Sequence, residues 1–129
     1  MSDQHNKPPL LPVIPRLWRA FHWSLKGLEA AFRYEQSFRI ELAGLPLVII
    51  LACWLGETYW QWALLISGWL LLLMCELLNS AVEVVVDRIS NEEHELSGRA
   101  KDLGSAAVFV VISINLLMWL ALLLDSFAH

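Results

Sequence analysis

The sequence predicts an all-α membrane protein with three transmembrane helices and one further helix near the N-terminus. Of the 129 residues, 57% are hydrophobic and the mean hydropathy is +0.54, which lies above the range of ordinary soluble domains. Only 17% of the residues are charged, and most of these charges lie in two stretches, roughly 16–41 and 83–102. Long apolar runs lie between and beyond these stretches, as expected for membrane spans separated by polar segments.

The first 14 residues are expected to form a disordered tail. Four prolines lie where a signal peptide would need its apolar segment: Pro8, Pro9, Pro12 and Pro15. A cleaved signal peptide is therefore not expected. The remainder, 15–129, is predicted to be one membrane-embedded domain.

A first helix is expected over about 15–33. From Leu17 to Phe32, apolar residues recur at steps of three and four, while Arg16, Arg19 and Lys26 fall on other faces. This pattern is typical of an amphipathic helix. Such a helix either lies in the membrane interface or packs on the protein itself, and the pattern allows both.

The transmembrane helices are expected over about 36–56, 61–87 and 102–125. The uncharged part of the first is Leu42–Leu55, and Pro46 lies near the beginning of this run, where a first-turn proline or a mild kink is tolerated. The second is apolar at its beginning and carries acids in its second half. The third includes 22 uncharged residues, Leu103–Leu124, and a span needs ~20 residues.

Lysine and arginine residues predict the orientation. Six precede the first span and three lie between the second and third, whereas Gly56–Gln61 and Asp125–His129 contain none. Because positive residues accumulate in cytoplasmic segments, the N-terminus is expected in the cytoplasm and the C-terminus outside.

The second span carries an unusual polar stripe. Its polar residues follow each other at helical spacing and share one face: Glu76, Asn79, Ser80, Glu83 and Asp87. An acid near the centre of a membrane helix costs about 2.5–3.5 kcal/mol on insertion scales, so such acids usually face a partner or a site. A protonated Glu76, or one that merely pairs with a neighbouring helix, is the structural alternative, but several polar residues on one stripe favour a functional site.

A polar loop is expected over 88–105. Arg99 and Lys101 in this loop suit phosphate contacts, and His94 suits hydrogen bonding or proton exchange, although basic residues are also expected here from the orientation alone. The sequence has no Walker A, GxGxxG, HExxH or CxxC motif. Phosphoryl transfer needs only in-line positioning, Mg²⁺ on carboxylates and cations around the phosphates. No basic cluster is dense enough to predict nucleic acid as a partner.

Two segments together resemble the signature of bacterial integral-membrane diacylglycerol kinases. They are ELLNSAVEVVVD at 76–87 and EHELSGRAKDLGSAA at 93–107. Further matches lie at 24–31 and between Glu35 and Glu41, so the resemblance covers about residues 16–125. It implies a homotrimer whose subunits each have three transmembrane helices and an interfacial N-terminal helix. It also implies transfer of the γ-phosphate of MgATP to the primary hydroxyl of diacylglycerol, which produces phosphatidic acid at the cytoplasmic face of the bacterial inner membrane.

The same resemblance implies roles for individual residues. Glu76 would be the general base, Asn79 would support it, and Glu35 and Glu83 would bind Mg²⁺. The positions implied around the nucleotide are Arg16, Ser24, Glu35, Glu83, His94, Glu95, Lys101 and Asp102, of which Lys101 would contact the phosphates. The positions implied for the lipid are Arg39, Glu41, Glu76 and Ser105. Trp23 departs from the tyrosine usual before the serine and is not included in the predicted site.

Two other functions fit parts of the sequence. An undecaprenol kinase would use the same phosphoryl chemistry on a polyprenyl alcohol, but such relatives tend to lack the run from Glu95 to Arg99. A small proton-coupled transporter would use Glu76 and Glu83 as a proton relay. The acids lie beside a basic cytoplasmic loop instead of continuing across the bilayer, which favours the kinase.

Overall fold

The structure is a computed structural model that describes residues 13–89, 92 and 94–128. Residues 1–12 of the expected tail lie outside the described residues. The described chain forms four helices: α1 (Val13–Tyr34), α2 (Gln36–Leu55), α3 (Tyr59–Ile89) and α4 (Glu95–Ala128). These described residues contain no strand, so the predicted all-α class is confirmed.

Three of the helices are long and apolar enough to cross a membrane. They are α2 with 20 residues, α3 with 31 and α4 with 34, and a span needs roughly 20. Most of their large apolar side chains are exposed on the single chain, as is expected for helices that face lipid or another subunit. The predicted number of spanning helices is confirmed.

The first helix begins earlier than expected. Val13 and Ile14, which were assigned to the disordered tail, lie in the first turn of α1. Pro15 follows them within this turn. Proline is tolerated there because the first N–H groups of a helix have no intrahelical acceptor, so the absent N–H of Pro15 costs no hydrogen bond. The prolines therefore do not mark the boundary of the tail, and the helix accommodates the last of them.

The predicted loop at 88–105 is largely wrong. Residues 95–105 are helical and form about the first three turns of α4. This segment has acidic Glu95 in its first turn and contains several good helix formers, both of which favour a helix. His94 precedes the helix, and its Nδ1 accepts a hydrogen bond from the backbone N–H of Leu96 at 3.1 Å.

The third helix forms the centre of the bundle. It packs along α4 and α2, while α2 and α4 touch each other only slightly. One core cluster, made of Ala31, Phe38 and Leu73, lies at the end of the bundle that carries α1, called the α1 end below. A second cluster lies at the opposite end and consists of Ala52, Leu65 and Leu122. Core clusters thus hold neighbouring helices against α3 near both of its ends.

One buried amide joins α3 to α4 between these clusters. Asn115 is 6% exposed, and its side-chain amide donates to the backbone carbonyls of Gly68 at 2.9 Å and Val111 at 3.0 Å. Gly68 has no side chain, so α4 approaches closely enough for this contact. A Cβ at Gly68 would lie 2.9 Å from the Asn115 Oδ1.

Candidate active site

A small polar cavity lies between α2, α3 and α4 at the α1 end. Its volume is about 210 Å³, and its lining contains Glu35, Ser37, Glu76, Asn79, Ser80, Glu83, Ser105 and Val108. The four lining residues from α3 occupy three successive turns, which is why the helical spacing of the polar stripe brings them to one cavity. Five residues predicted for the site are thereby brought together: Glu35, Glu76, Asn79, Glu83 and Ser105.

Glu76 is the most buried of the acids in this cavity. It is 9% exposed, and the carboxyl groups of Glu83 and Glu35 are its electrostatic neighbours. Three acids in one small cavity repel one another when ionised. The arrangement therefore favours a proton on one of them, or a cation or a hydrogen-bond donor between them.

Asn79 and Glu83 form a pair one turn apart on α3. The Asn79 amide donates to Glu83 Oε1 at 3.0 Å, which orients that carboxylate. The other amide atom, Asn79 Oδ1, is shielded from solvent and has no hydrogen-bond partner. A Cβ at Gly104 would collide with this oxygen, so glycine at this position of α4 leaves room for it.

Asp87 lies outside the cavity lining, at the end of the stripe. Lys101 Nζ on α4 donates to Asp87 Oδ1 at 2.6 Å. This hydrogen bond raises the pKa of Lys101 above its ordinary value, so the ammonium group stays charged at neutral pH. A fixed positive charge is thereby held near the acidic cavity, although Lys101 itself does not line it.

A larger and mostly apolar cleft lies between α1 and α3. It has a volume of about 700 Å³ and includes Ser24 and Gly27 from α1. Glu35 and Ser80 line both this cleft and the polar cavity, so the two spaces meet at these residues. The Ser24 hydroxyl donates to the Ala20 carbonyl at 3.0 Å, within its own helix.

The two lipid-side residues predicted on α2 have different surroundings. Arg39 donates to the carbonyls of Phe32 and Arg33, both at 3.1 Å, and so caps the end of α1. Glu41 lies on the membrane-interior side of the cavity, where Glu76 is its electrostatic neighbour. Its Oε2 is shielded from solvent without a hydrogen-bond partner.

The remaining predicted nucleotide positions lie outside the polar cavity. Arg16 is exposed on α1, where it lines a shallow groove with Arg19 and Trp23. His94, Glu95 and Asp102 are exposed at and near the beginning of α4. The single chain therefore does not bring these four residues to the acids of the cavity.

The cavity contains suitable ligands for Mg²⁺, although it is not a complete metal cage. Among the described residues, no three His, Cys, Asp or Glu side chains come together as a metal site. Mg²⁺ typically uses one or two protein carboxylates together with substrate phosphates and water. Glu35 and Glu83 line one cavity, and the unpaired Asn79 Oδ1 adds an oxygen of the preferred kind. This donor set fits a metal that arrives with a nucleotide.

Sequence reasoning missed several residues that form the cavity. Ser37 and Val108 line it, but neither belongs to the polar stripe of α3. Ser80 was on that stripe without being assigned to the site. Gly104 makes room for Asn79. The sequence feature that could have indicated this role is the position of the glycine directly before Ser105.

Comparison with known proteins agrees with the chemistry of this cavity. The family described as prokaryotic diacylglycerol kinase matches residues 22–123. This region contains α2, α3 and most of α1 and α4, including every residue of the polar cavity.

Curated relatives carry the same description. The diacylglycerol kinase of Escherichia coli K12 is 47% identical over 112 residues, covering 87% of this chain and 92% of the relative. The diacylglycerol kinase of Haemophilus influenzae is 53% identical over 97 residues, covering 75% and 82%. The diacylglycerol kinase of Helicobacter pylori strain 26695 is 35% identical over 119 residues, covering 92% of both chains.

Proposed function

The chain belongs to the prokaryotic diacylglycerol kinase family, and we propose that it transfers the γ-phosphate of MgATP to the primary hydroxyl of diacylglycerol. The product of this reaction is phosphatidic acid. The observation that carries the proposal is the polar cavity in the membrane bundle, which unites Glu35, Glu76, Asn79 and Glu83. A hydroxyl group, a base and a magnesium-bound phosphate are the components that phosphoryl transfer must bring together.

Glu76 is the proposed general base. It is the most buried acid of the cavity, and it lies on α3 below the end that carries α1. A general base must lie within hydrogen-bond reach of the proton that it removes, and a buried carboxylate on the membrane-spanning part of α3 is placed to meet a hydroxyl group that arrives from the bilayer. In the proposed step, Glu76 accepts the proton of the diacylglycerol hydroxyl while that oxygen attacks the γ-phosphorus, and the bond from the γ-phosphorus to the β,γ-bridging oxygen breaks to release ADP.

Glu35 and Glu83 are the proposed ligands of Mg²⁺. A magnesium ion held by these two carboxylates would neutralise negative charge on the phosphates during the transfer. Asn79 donates to Glu83 and so keeps one carboxylate oriented. Its position one turn from Glu76 also supports its proposed role beside the base.

The nucleotide is proposed to approach from the α1 side. Ser24 lines the cleft that meets the polar cavity at Glu35 and Ser80, so a nucleotide in this cleft has its phosphates directed towards the cavity. Lys101 would leave Asp87 to contact the phosphates, or share its three donors between them. The implied contacts of Arg16, His94, Glu95 and Asp102 need a closer arrangement than the single chain has.

The lipid is proposed to approach from the membrane. Glu41 and Glu76 lie in the spanning part of the bundle, and Ser105 lines the cavity from α4. Arg39 lies nearer the interface, where it caps α1. Diacylglycerol is an apolar molecule with one hydroxyl group, so its headgroup reaches these residues without leaving the bilayer.

The proposed assembly is a homotrimer in the bacterial inner membrane, with the N-terminus in the cytoplasm and the C-terminus outside. The exposed apolar side chains of α2, α3 and α4 leave surface for both lipid and neighbouring subunits. The interfacial placement of α1 is part of the same proposal, because α1 buries only Ala31 and exposes its remaining apolar residues. Packing on the protein itself, the other predicted alternative for α1, involves the end of the helix around Ala31.

A direct assay tests the proposed reaction. The purified protein in mixed micelles receives MgATP with labelled γ-phosphate and either diacylglycerol or undecaprenol. We expect label in phosphatidic acid. Label only in undecaprenyl phosphate would favour the polyprenol kinase, and label in neither lipid would contradict the proposed chemistry.

A further inference from the structure

Trp69 of α3 contacts α2 immediately below the polar cavity. Its indole Nε1 donates to the backbone carbonyl of Glu41 at 2.8 Å, and its ring packs against the core cluster at the α1 end. Trp69 precedes Glu76 by seven residues, which is two helical turns or about 10 Å along the axis on the same face. The indole therefore lies two turns of α3 from Glu76, at the contact between the two helices that carry Glu41 and Glu76.

The sequence of α2 makes room for this indole. A Cβ at Gly44 would lie 2.8 Å from Cζ2 of Trp69, so any side chain there would displace the ring. Two residues later, Pro46 lies inside α2 and has no N–H to donate to the carbonyl of Leu42. This part of α2 therefore lacks one of its own backbone hydrogen bonds, and the hydrogen bond from Trp69 holds it to α3.

Glu41, whose carbonyl accepts the hydrogen bond from Trp69, has an unusual side-chain environment. Glu41 Oε2 is shielded from solvent and has no hydrogen-bond partner, while Glu76 is an electrostatic neighbour of the same carboxyl group. Burial of an unpaired polar atom is costly unless a ligand completes its hydrogen bond. An incoming hydroxyl group is a donor that satisfies it.

We infer that Trp69 is a positioning residue for the lipid half of the reaction, because its indole holds Glu41 beside Glu76 where the acceptor hydroxyl arrives. This inference rests on the proposed function. Within the described part of the chain, Trp69 donates its hydrogen bond to Glu41, packs against the core cluster and is not part of the lining of the polar cavity. Its effect therefore belongs to the binding of diacylglycerol, and the binding of MgATP is independent of it.

The test replaces the indole without emptying its space. Trp69→Phe removes the N–H donor and keeps an aromatic ring, and 3-benzothienylalanine at position 69 replaces only the N–H by sulfur. Loss of one hydrogen bond corresponds to roughly a fivefold change in an equilibrium constant. We expect the apparent KM for diacylglycerol to rise by about this factor in both variants, while the KM for MgATP stays unchanged.

The chain contains a matched control for this experiment. Trp62 on the same helix donates its Nε1 to the Gly56 carbonyl at 2.8 Å, and its ring lies where a Cβ at Gly56 would be. The contact has the same chemistry but lies at the opposite end of α3. Trp62→Phe is expected to lower stability to a similar extent and to leave both KM values unchanged.

A second route displaces the indole and leaves its N–H intact. Gly44→Ala places a methyl group against the ring, so we expect the same selective rise in the KM for diacylglycerol. Equal rises in both KM values, or equal kinetic effects of Trp62→Phe and Trp69→Phe, would overturn the inference. If Trp69→Phe does not fold, the benzothienyl variant decides alone, and an unchanged KM for diacylglycerol in it also overturns the inference.

The parent protein separates this inference from the proposed function. Phosphate transfer by the unmodified chain tests whether diacylglycerol is the substrate. The comparison of variants tests only whether Trp69 positions its binding. Activity of the parent with unaltered variants contradicts the role of Trp69 and leaves the kinase function standing.

Discussion

Glu76 lies among other acids, and these neighbours determine the charge of the cavity when no substrate is bound. The residue is 9% exposed, and Glu35 and Glu83 are its electrostatic neighbours in the cavity. No cation of the described chain lines the cavity. The positive charge that balances these acids must therefore come from the groups that bind there. This is consistent with two substrates, one that brings Mg²⁺ and one that brings a hydroxyl proton.

Replacement of Glu76 by glutamine tests its role as a base. The amide keeps the size of the side chain but does not accept the hydroxyl proton, so we expect turnover to fall by about 10²–10⁴-fold, the usual contribution of a general base. The measurement is the initial rate of lipid phosphorylation, with circular dichroism to verify folding. Glu57→Gln, at an exposed acid in the turn before α3, is the control, and near-normal turnover of Glu76→Gln would remove Glu76 from this role.

Replacement of Glu83 by glutamine tests the metal site. Glu83 accepts from Asn79, and its loss as a carboxylate weakens the proposed site without removing the base. We expect the Mg²⁺ concentration for half-maximal activity to rise by roughly tenfold, as when a group of the metal environment is lost. Asp125→Asn at the opposite end of the bundle serves as the control. A Mg²⁺ titration that does not move would count against Glu83 as a ligand.

At the scale of helices, glycines decide how closely α2, α3 and α4 approach. Gly44 leaves room for the Trp69 ring, Gly68 leaves room for the Asn115 amide, and Gly104 leaves room for the Asn79 oxygen. Each glycine lets a side chain of a neighbouring helix lie against bare backbone. Small residues have this function in membrane bundles, because helices there associate by close packing and interhelical hydrogen bonds.

Asn115 provides a test of this packing apart from the site. Asn115→Ala removes the hydrogen bond from this side chain of α4 to the backbone carbonyl of Gly68 in α3, so we expect a loss of about 1 kcal/mol in the free energy of unfolding. Thermal or denaturant unfolding in detergent micelles measures it. Ser113→Ala is the matched control, because its hydroxyl donates only within α4, to Phe109 at 3.0 Å. Equal stabilities of the two variants would show that the interhelical bond contributes nothing.

At the scale of the whole molecule, polarity differs between the two ends of the bundle. The α1 end has the polar cavity and all the lysines and arginines of the described chain. At the other end, Gln61 donates to Asp125 at 3.1 Å and accepts from the backbone of Glu57 and Thr58. The turn between α2 and α3 is thereby closed by neutral and acidic groups alone, and the proposed orientation places this turn outside the cytoplasm.

Reporter fusions test that orientation. Alkaline phosphatase fused after the last residue is expected to be active, because this enzyme folds only outside the cytoplasm, and green fluorescent protein at the same place is expected to be dark. The excess of positive residues at the α1 end is the physical reason. Fusion of the fluorescent protein before α1 is the control and is expected to fluoresce. The reverse pattern would contradict the proposed topology.

The sequence by itself determined the class of the fold and most of the polar cavity. Apolar runs of sufficient length determine spanning helices, because the bilayer offers no other partner for their backbone groups. Helical spacing then places Glu76, Asn79 and Glu83 on one face, since positions three and four apart are neighbours on any helix. These two rules depend only on local sequence, which is why they could be applied before the fold was known.

The tertiary structure alone decided which residues from other helices complete that face. Ser37 and Ser105 meet the stripe because α2 and α4 pack beside α3, and Trp69 reaches Glu41 because Gly44 permits it. The expected loop at 88–105 failed for a related reason: its charges indicated solvent, but a charged segment at the end of a spanning helix continues that helix into water. Contacts between distant segments depend on packing geometry, and no periodicity within one helix contains that information.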